Sequence, residues 1–224
     1  MLKVKMFLGN PCQECTYVLS DETGEAVIVD CGAFYEKERE RLLNYINDND
    51  LRPVRLLLTH AHHDHVYGND LIHMHYGLLP EVHKDDQPLM TKVLLRRIEE
   101  IYGTLYPYSV PMPEHYLNND EEIHFGNHVL RVIHTPGHSP GSVVYYCEAE
   151  KIALTGDTLM KRYVGSTELI GSDPMAMRLS LDLILSRLPD DTVIYPGHDG
   201  KSTIGDVKKK NWRMQQFLSL YPIG

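Results

Sequence analysis

The run Thr59-His-Ala-His-His-Asp-His65 stands directly against an apolar stretch, Pro53-Val-Arg-Leu-Leu-Leu58, and restricts the fold more than any other segment. His60, His62 and Asp64 recur at every second residue, and positions i and i+2 point apart on a helix. The polar groups of His60-x-His62-x-Asp64-His65 can therefore meet only where the backbone is extended, or turning as it leaves a strand. This geometry differs from the helical H-E-x-x-H of the zincins and implies another fold. His63 falls on the opposite parity and is expected to be a bystander.

Three more polar positions follow the same pattern of strand, tight turn, side chain. His138 comes after Thr135-Pro-Gly137 and an apolar strand at 129–133. Asp157 comes after Thr155-Gly156 and a strand at 151–154, and His198 after Pro196-Gly197 and a strand at 192–195. Glycine lets the backbone turn sharply at such points, and sites in open α/β sheets assemble where strand ends converge. Five histidines and two aspartates are thus expected to meet. Imidazoles and carboxylates without cysteine suit zinc, iron or manganese. Seven donors exceed one tetrahedral zinc and suit two ions sharing a carboxylate. His73, His75, His83, His115, His124, His128 and His134 lack such a context, and surface or structural roles are expected for them.

Elsewhere the pattern alternates between the two kinds of secondary structure, which indicates an α/β class. A buried strand is expected at 26–30, ending in Asp30-Cys-Gly32, and a further strand at 142–147. An amphipathic helix is expected at 35–47, with Leu42, Leu43 and Ile46 on its apolar side. Asp173-Pro174 is a helix start, followed by a core stripe of Met177, Leu181, Ile184, Leu185 and Leu188. One last helix is expected at 206–220, its Lys208-Lys-Lys210 run facing solvent. Between 67 and 125 a helix is expected at 88–102, then a Pro- and Tyr-rich ordered loop to 116, either a lid or an irregular crossover. With neither repeat nor linker in its 224 residues, the chain is expected to form a single domain, 1–224.

A net charge of −9 lacks the electrostatic footprint of a nucleic-acid binder, so a small-molecule partner is expected. No apolar run approaches the roughly 18 residues of a membrane span, and the first nine residues alternate too strongly for a signal peptide. A cytoplasmic location without membrane contact is expected. Cys12, Cys15, Cys31 and Cys147 include one CxxC and no second, which favours buried or incidental thiols over a structural zinc site.

With these residues in place, the chain resembles the metallo-β-lactamase superfamily and, within it, the glyoxalase II-like hydrolases. The resemblance runs from Tyr17-Val-Leu and Ile28-Val-Asp-Cys-Gly32 through the His60 motif. It continues through Thr135-Pro-Gly-His-Ser-Pro-Gly141 and Thr155-Gly-Asp-Thr-Leu159 to Tyr195-Pro-Gly-His198. It implies an αββα sandwich with metals at one edge of two packed sheets. His60, His62 and His138 would hold one ion, Asp64, His65 and His198 a second, and Asp157 would bridge them. Two departures stand out. Ser166 occupies a position where the glyoxalase-like enzymes often carry Arg, and residues 199–224 suffice for one helix rather than the helical domain that supplies much of the glutathione site.

The resemblance implies two divalent ions, zinc first, with iron or manganese as alternatives. Two cations sharing a water lower its pKa from ~15.7 toward ~7. The expected reaction is attack of that bridging hydroxide on a thioester or related ester, with Asp64 and Asp157 as the catalytic carboxylates. Persulfide dioxygenases offer the first alternative, with one iron held by His60, His138 and Asp157. A lactonase or β-lactamase-like hydrolase is another. A ribonuclease Z type nuclease is disfavoured by the charge, and a metal-stabilised interaction domain would not need all seven donors.

Overall fold

Strand formation follows the apolar runs, and the order in which they pair places their ends at one edge. The structure, a computed structural model, describes residues 1–91 and 110–223. One sheet contains β1 (Lys3–Gly9), β2 (Glu14–Ser20), β3 (Glu25–Val29), β4 (Arg52–Leu57), β5 (Pro80–His83) and β6 (His115–Leu117), in that spatial order. The first three are antiparallel neighbours, and β3 to β6 run parallel. The second sheet contains β7 (Glu122–Phe125), β8 (His128–His134), β9 (Val143–Cys147), β10 (Ile152–Gly156), β11 (Val193–Pro196) and β12 (Ser202–Thr203), again as consecutive neighbours. Within it β10 and β11 are parallel.

The sheets face each other across one apolar layer that includes Tyr17, Leu19, Val29, Leu57, Phe125, Val132, Tyr145 and Leu154. Full burial of such side chains stabilises by roughly 1.5–3 kcal/mol each relative to exposure. Helices cover the outer faces. Against the first sheet lie α1 (Glu36–Asp48) and α2 (Asn69–Tyr76), and against the second α3 (Pro174–Arg187), α4 (Ile204–Lys210) and α5 (Trp212–Leu220). The order helix, sheet, sheet, helix is the αββα sandwich expected. Among the described residues, no helix is long and apolar enough to cross a membrane.

Helix boundaries follow their capping groups. In α1, the Glu38 carboxylate accepts from the Phe34 and Tyr35 N–H groups at 3.0 and 3.1 Å, closing the first turn. Asp173 starts α3 by accepting from the Met175 and Ala176 N–H groups at 2.8 and 3.0 Å, with Pro174 in the first turn. Arg39 of α1 pairs with Asp70 of α2 at 2.6 Å in a buried position, which locks the two outer helices together.

The structure corrects three expectations. The single helix expected at 206–220 is two helices broken at Asn211. Its Oδ1 accepts from Met214 N–H at 2.9 Å, while its Nδ2 donates to the Met160 and Tyr163 carbonyls at 3.0 Å each. The tertiary demand for the two Nδ2 bonds, with the local cap at Met214, interrupts a helix that local propensity would have continued. The loop expected to reach residue 116 gives way earlier to β6, whose His115 and Tyr116 pair with Glu81 and Val82. Of the helix expected at 88–102, residues 88–90 close a 3₁₀ segment, Lys84–Met90, and residues 92–102 lie outside the described residues, as does the loop over 103–109. Cys15, Cys31 and Cys147 are buried thiols, and Cys12 is half-buried.

Asn211→Ala removes a cap and two donated bonds, leaving the Met160 carbonyl without its side-chain donor and the Tyr163 carbonyl with only the Met160 N–H at 3.1 Å. With ~1 kcal/mol per bond and ~1 kcal/mol for the cap, it is expected to lower unfolding free energy by about 2–4 kcal/mol. Urea unfolding followed by circular dichroism checks this, and a loss below 1 kcal/mol would contradict the bridging role.

Candidate metal centre

Each strand that enters the site edge delivers its polar residue just past the last ladder bond. After β4 the chain stays extended through His62 (φ −70°, ψ 152°) and then tightens into a 3₁₀ turn, His63–His65. This change of conformation lets His60, His62, Asp64 and His65 converge despite their spacing. His138 follows β8, Asp157 follows β10 and His198 follows β11. All seven expected donors come together. Donor atoms of His60, His62 and His138 lie within 4.8 Å of one another, as do those of Asp64, His65 and His198. Asp157 reaches both sets, with Oδ2 3.4 Å from His138 Nε2 and 3.6 Å from His198 Nε2, and Oδ1 3.7 Å from His65 Nε2. His63 belongs to none of these groups and sets its ring edge-on to Tyr67.

The outer nitrogens of the rings are held by partners that aim the inner ones. Because a carbonyl can only accept, His138 Nδ1–H donates to Ser166 O at 2.9 Å, which leaves Nε2 as an acceptor facing the centre, where it takes the His62 Nδ1–H at 2.8 Å. His198 Nδ1–H donates likewise to Gln13 O at 3.2 Å. Thr59 Oγ1 lies 3.1 Å from His60 Nδ1, and His60 Nε2 is buried without a hydrogen-bond partner. His65 Nδ1 lies 3.1 Å from Asp30 Oδ2, close enough for charge attraction but without hydrogen-bond alignment, and its Nε2 is also unpartnered. Such outer partners set the tautomer and orientation of metal-binding imidazoles. The departure at Ser166 is harmless to this function, because the group used is its backbone carbonyl.

Several of these supports carry no local sequence signal. Asp30, in the left-handed region at φ 51°, accepts from Thr59 N–H and Thr59 Oγ1–H at 2.7 Å each, so it fixes the start of the histidine run. Asn10 Nδ2 donates to the Asp64 carbonyl at 2.8 Å. Asp86 accepts from Ala61 N–H (2.8 Å), Ser139 Oγ–H (2.8 Å) and Gly141 N–H (2.6 Å), tying the His60 loop to the His138 loop. Burial pushes the Asp86 carboxyl upward against those three donors. Glycine is required beside the donors: a Cβ on Gly197 would stand 2.2 Å from Asp157 Oδ1 and 2.7 Å from His65 Cε1.

The residues fit a cation. Water exclusion, then the neighbouring imidazoles, hold His60 well below its usual pKa. Burial and His138 lower His62 to about 3. Both rings are therefore neutral and ready as ligands at neutral pH. Around the other set burial again opposes charge, but Asp64, Asp30 and Asp157 outweigh it and raise His65 well above an ordinary imidazole. Burial likewise disfavours charge on His198, yet Asp64 and Asp157 raise it. Burial would raise Asp64, but His65 and His198 hold it far below the usual carboxylate range. The orphaned His60 nitrogen on one side and carboxylates demanding positive charge on the other are what a divalent ion satisfies.

A paired-sheet α/β frame with this His/Asp cluster at one edge defines a metal-centre protein. The chain belongs to the metallo-β-lactamase superfamily, whose family model matches residues 9–198 and whose members are typically metal-dependent hydrolases. That fold implies divalent-metal binding. The chain is 31% identical over 200 residues to hydroxyacylglutathione hydrolase GloC of Haemophilus influenzae, covering 89% of this chain and 91% of that protein. Among solved structures it is similar to the B3 metallo-β-lactamase BLEG-1, with 31% identity, a TM-score of 0.83, and 94% and 98% of the two chains covered. It is also similar to TTHA1623 in a di-iron-bound form, with 33% identity, a TM-score of 0.81, and 93% and 98% covered.

The two donor sets differ in their proton demand. An ion entering the Asp64/His65/His198 set must displace protons that the raised pKa values hold, so affinity there falls as pH drops through them. His60 and His62 are already neutral, and their set retains an ion to lower pH. Lowering a loaded sample from about pH 8 to about pH 5 is expected to release ions in two steps, the Asp64/His65/His198 position first. Metal analysis of the dialysate checks this, and simultaneous release would contradict the assignment.

Proposed function

We propose that the chain is a dinuclear metal-dependent hydrolase of thioesters, with hydroxyacylglutathione-type compounds as the leading substrate class. The observation that carries this reading is the pair of donor triads with Asp157 between them. His60, His62 and His138 would hold one ion, Asp64, His65 and His198 the other, and Asp157 both. Two divalent ions bound there, zinc first with iron or manganese as alternatives, would supply an ionised water at neutral pH and polarise a carbonyl.

The chain's own residues account for the rest. Ser166, Gln13, Thr59 and Asp30 keep the ring nitrogens aimed, so little reorganisation is needed when charge develops. Asp64, held ionised with Oδ2 3.2 Å from His198 Nε2, is an acceptor able to orient the attacking water. A thiolate leaves without being protonated, so cleavage needs no acid beyond the donor set. The similarity to the hydroxyacylglutathione hydrolase GloC, over nearly the full length of both chains, supports the thioester class. A single-iron persulfide oxidation through His60, His138 and Asp157 is the alternative that the same donor string also accommodates, and oxygen uptake separates the two. Tyr106 and Tyr108 of the Pro- and Tyr-rich loop lie outside the described residues.

Metal-stripped protein is expected to release thiol from S-lactoylglutathione and simpler thioesters once reloaded with zinc, and to consume no oxygen with glutathione persulfide once reloaded with iron. Oxygen uptake without thioester cleavage would overturn the reading. His60→Ala, Asp157→Ala and His198→Ala should each lower kcat/KM by about a thousand-fold or more, whereas His63→Ala should stay within about three-fold. Near-normal turnover in Asp157→Ala with metal retained would refute its bridging role.

A further inference from the structure

A second cluster of metal-ligating side chains lies outside the seven donors. His83 ends β5 of the first sheet, Asp85 lies in the 3₁₀ segment that follows, and His134 ends β8 of the second sheet. Their donor atoms all fall within 4.8 Å of one another. Asp85 Oδ2 is 3.6 Å from His83 Nδ1 and 4.0 Å from His134 Nε2. The two imidazoles stack, with centroids 3.9 Å apart and planes inclined by 15°. His83 is buried, His134 half-buried and Asp85 exposed, so the cluster is walled on one side and open to solvent on the other.

Among the described residues, no hydrogen bond joins the three side chains to one another, and their charge contacts are long. Two stacked imidazoles repel if both are charged, and burial, followed by the neighbouring His134, lowers His83 to about 4. At neutral pH it is an uncharged base. Among the described residues it accepts one hydrogen bond, at Nδ1 from Asp85 N–H, which is long at 3.4 Å. Two imidazoles and a carboxylate suit borderline divalent ions. Bonds of about 2.0–2.1 Å in a tetrahedral site place ligand atoms about 3.4 Å apart, so side-chain rotation, with the exposed Asp85 moving most, closes the observed gaps.

We propose that His83, Asp85 and His134 form a peripheral site for a borderline divalent ion such as zinc, which clasps the two sheets beside the hydrolytic centre. Water completes its coordination from the open side. His134 Nε2–H now donates to Pro140 O at 2.9 Å. On ion binding at Nε2 that proton moves to Nδ1, the ring stays neutral, and the Pro140 carbonyl gives up its donor. The ion also fixes the residue next to Asp86, the carboxylate that ties the His60 loop to the His138 loop. The site would thus stiffen the support of the main centre without contributing a donor to it.

The test uses the full-length, metal-loaded protein, with zinc as the probe. Competition with a chelator gives the dissociation constant of each zinc equivalent for the wild type, His83→Gln and Asp85→Asn. One equivalent is expected to weaken at least ten-fold in both variants while the tighter ones stay unchanged, and added zinc should raise Tm only in the wild type. Asp85 is exposed, so Asp85→Asn keeps the test valid should His83→Gln fold poorly. Identical zinc constants in the wild type and Asp85→Asn would overturn the proposal. None of the seven donors is altered, so failure of the hydrolase reading would leave this comparison intact.

Discussion

His65 stands in a water-excluded space among the carboxylates of Asp30, Asp64, Asp157 and Glu14, and the rest of the site edge is arranged around that concentration of charge. Among the described residues, every ion-pair partner of Asp64 and Asp157 is a histidine. Removing such groups from water costs several kcal/mol per ion unless they are well paired. Imidazolium can compensate only in part, because five rings crowd the same space and repel when charged. Glu14 shows the pressure most plainly: burial raises its carboxyl well above the usual range, although His65 pulls it down. A divalent cation supplies positive charge and accepts the lone pairs of the neutral rings, which relieves both problems together.

The sandwich makes this arrangement affordable by holding the two sheets in register where the site lies. Tyr145 Oη–H from the second sheet donates to Leu58 O, just past β4, at 2.6 Å. Tyr17 Oη–H from the first sheet donates to Pro196 O at 2.7 Å. Val143 N–H reaches Thr59 O, and Cys15 N–H reaches Gly197 O, at 2.8 Å each. Buried polar groups are expensive when unpaired, so these bonds form only if the sheets meet in one relative position. That position sets the His60 run opposite His138, Asp157 and His198.

What could be seen in the sequence was local. The His60 run followed an apolar strand, and His138, Asp157 and His198 each followed a strand and a glycine turn, so the αββα frame and all seven donors were legible. Asp30 and Asp86 were not: a lone aspartate after a strand looks like a turn residue, and its worth depends on loops 29 and 55 residues away. Asn211 looked like one more helical residue, because its reason for ending a helix is the pair of carbonyls at Met160 and Tyr163. The same limit hid the pairing of β6 with β5, where a Pro-rich approach disguised a short parallel edge strand.

The outer partners imply an order of assembly. Thr59 and Asp30 belong to the first sheet's site edge, Ser166 to the segment after β10, and Gln13 to the β1–β2 turn. His65, His138 and His198 are each aimed by a residue distant in sequence, whereas His60 meets its neighbour Thr59. The donors therefore cannot be preorganised in an unfolded or half-docked chain, and ions would bind tightly only to the completed sandwich. A ligand that binds the native state alone stabilises it by mass action, and metal affinity at such a site becomes folding free energy. The repulsions that make the metal-free edge unfavourable are thus the same ones that couple ion binding to the docking of the two sheets.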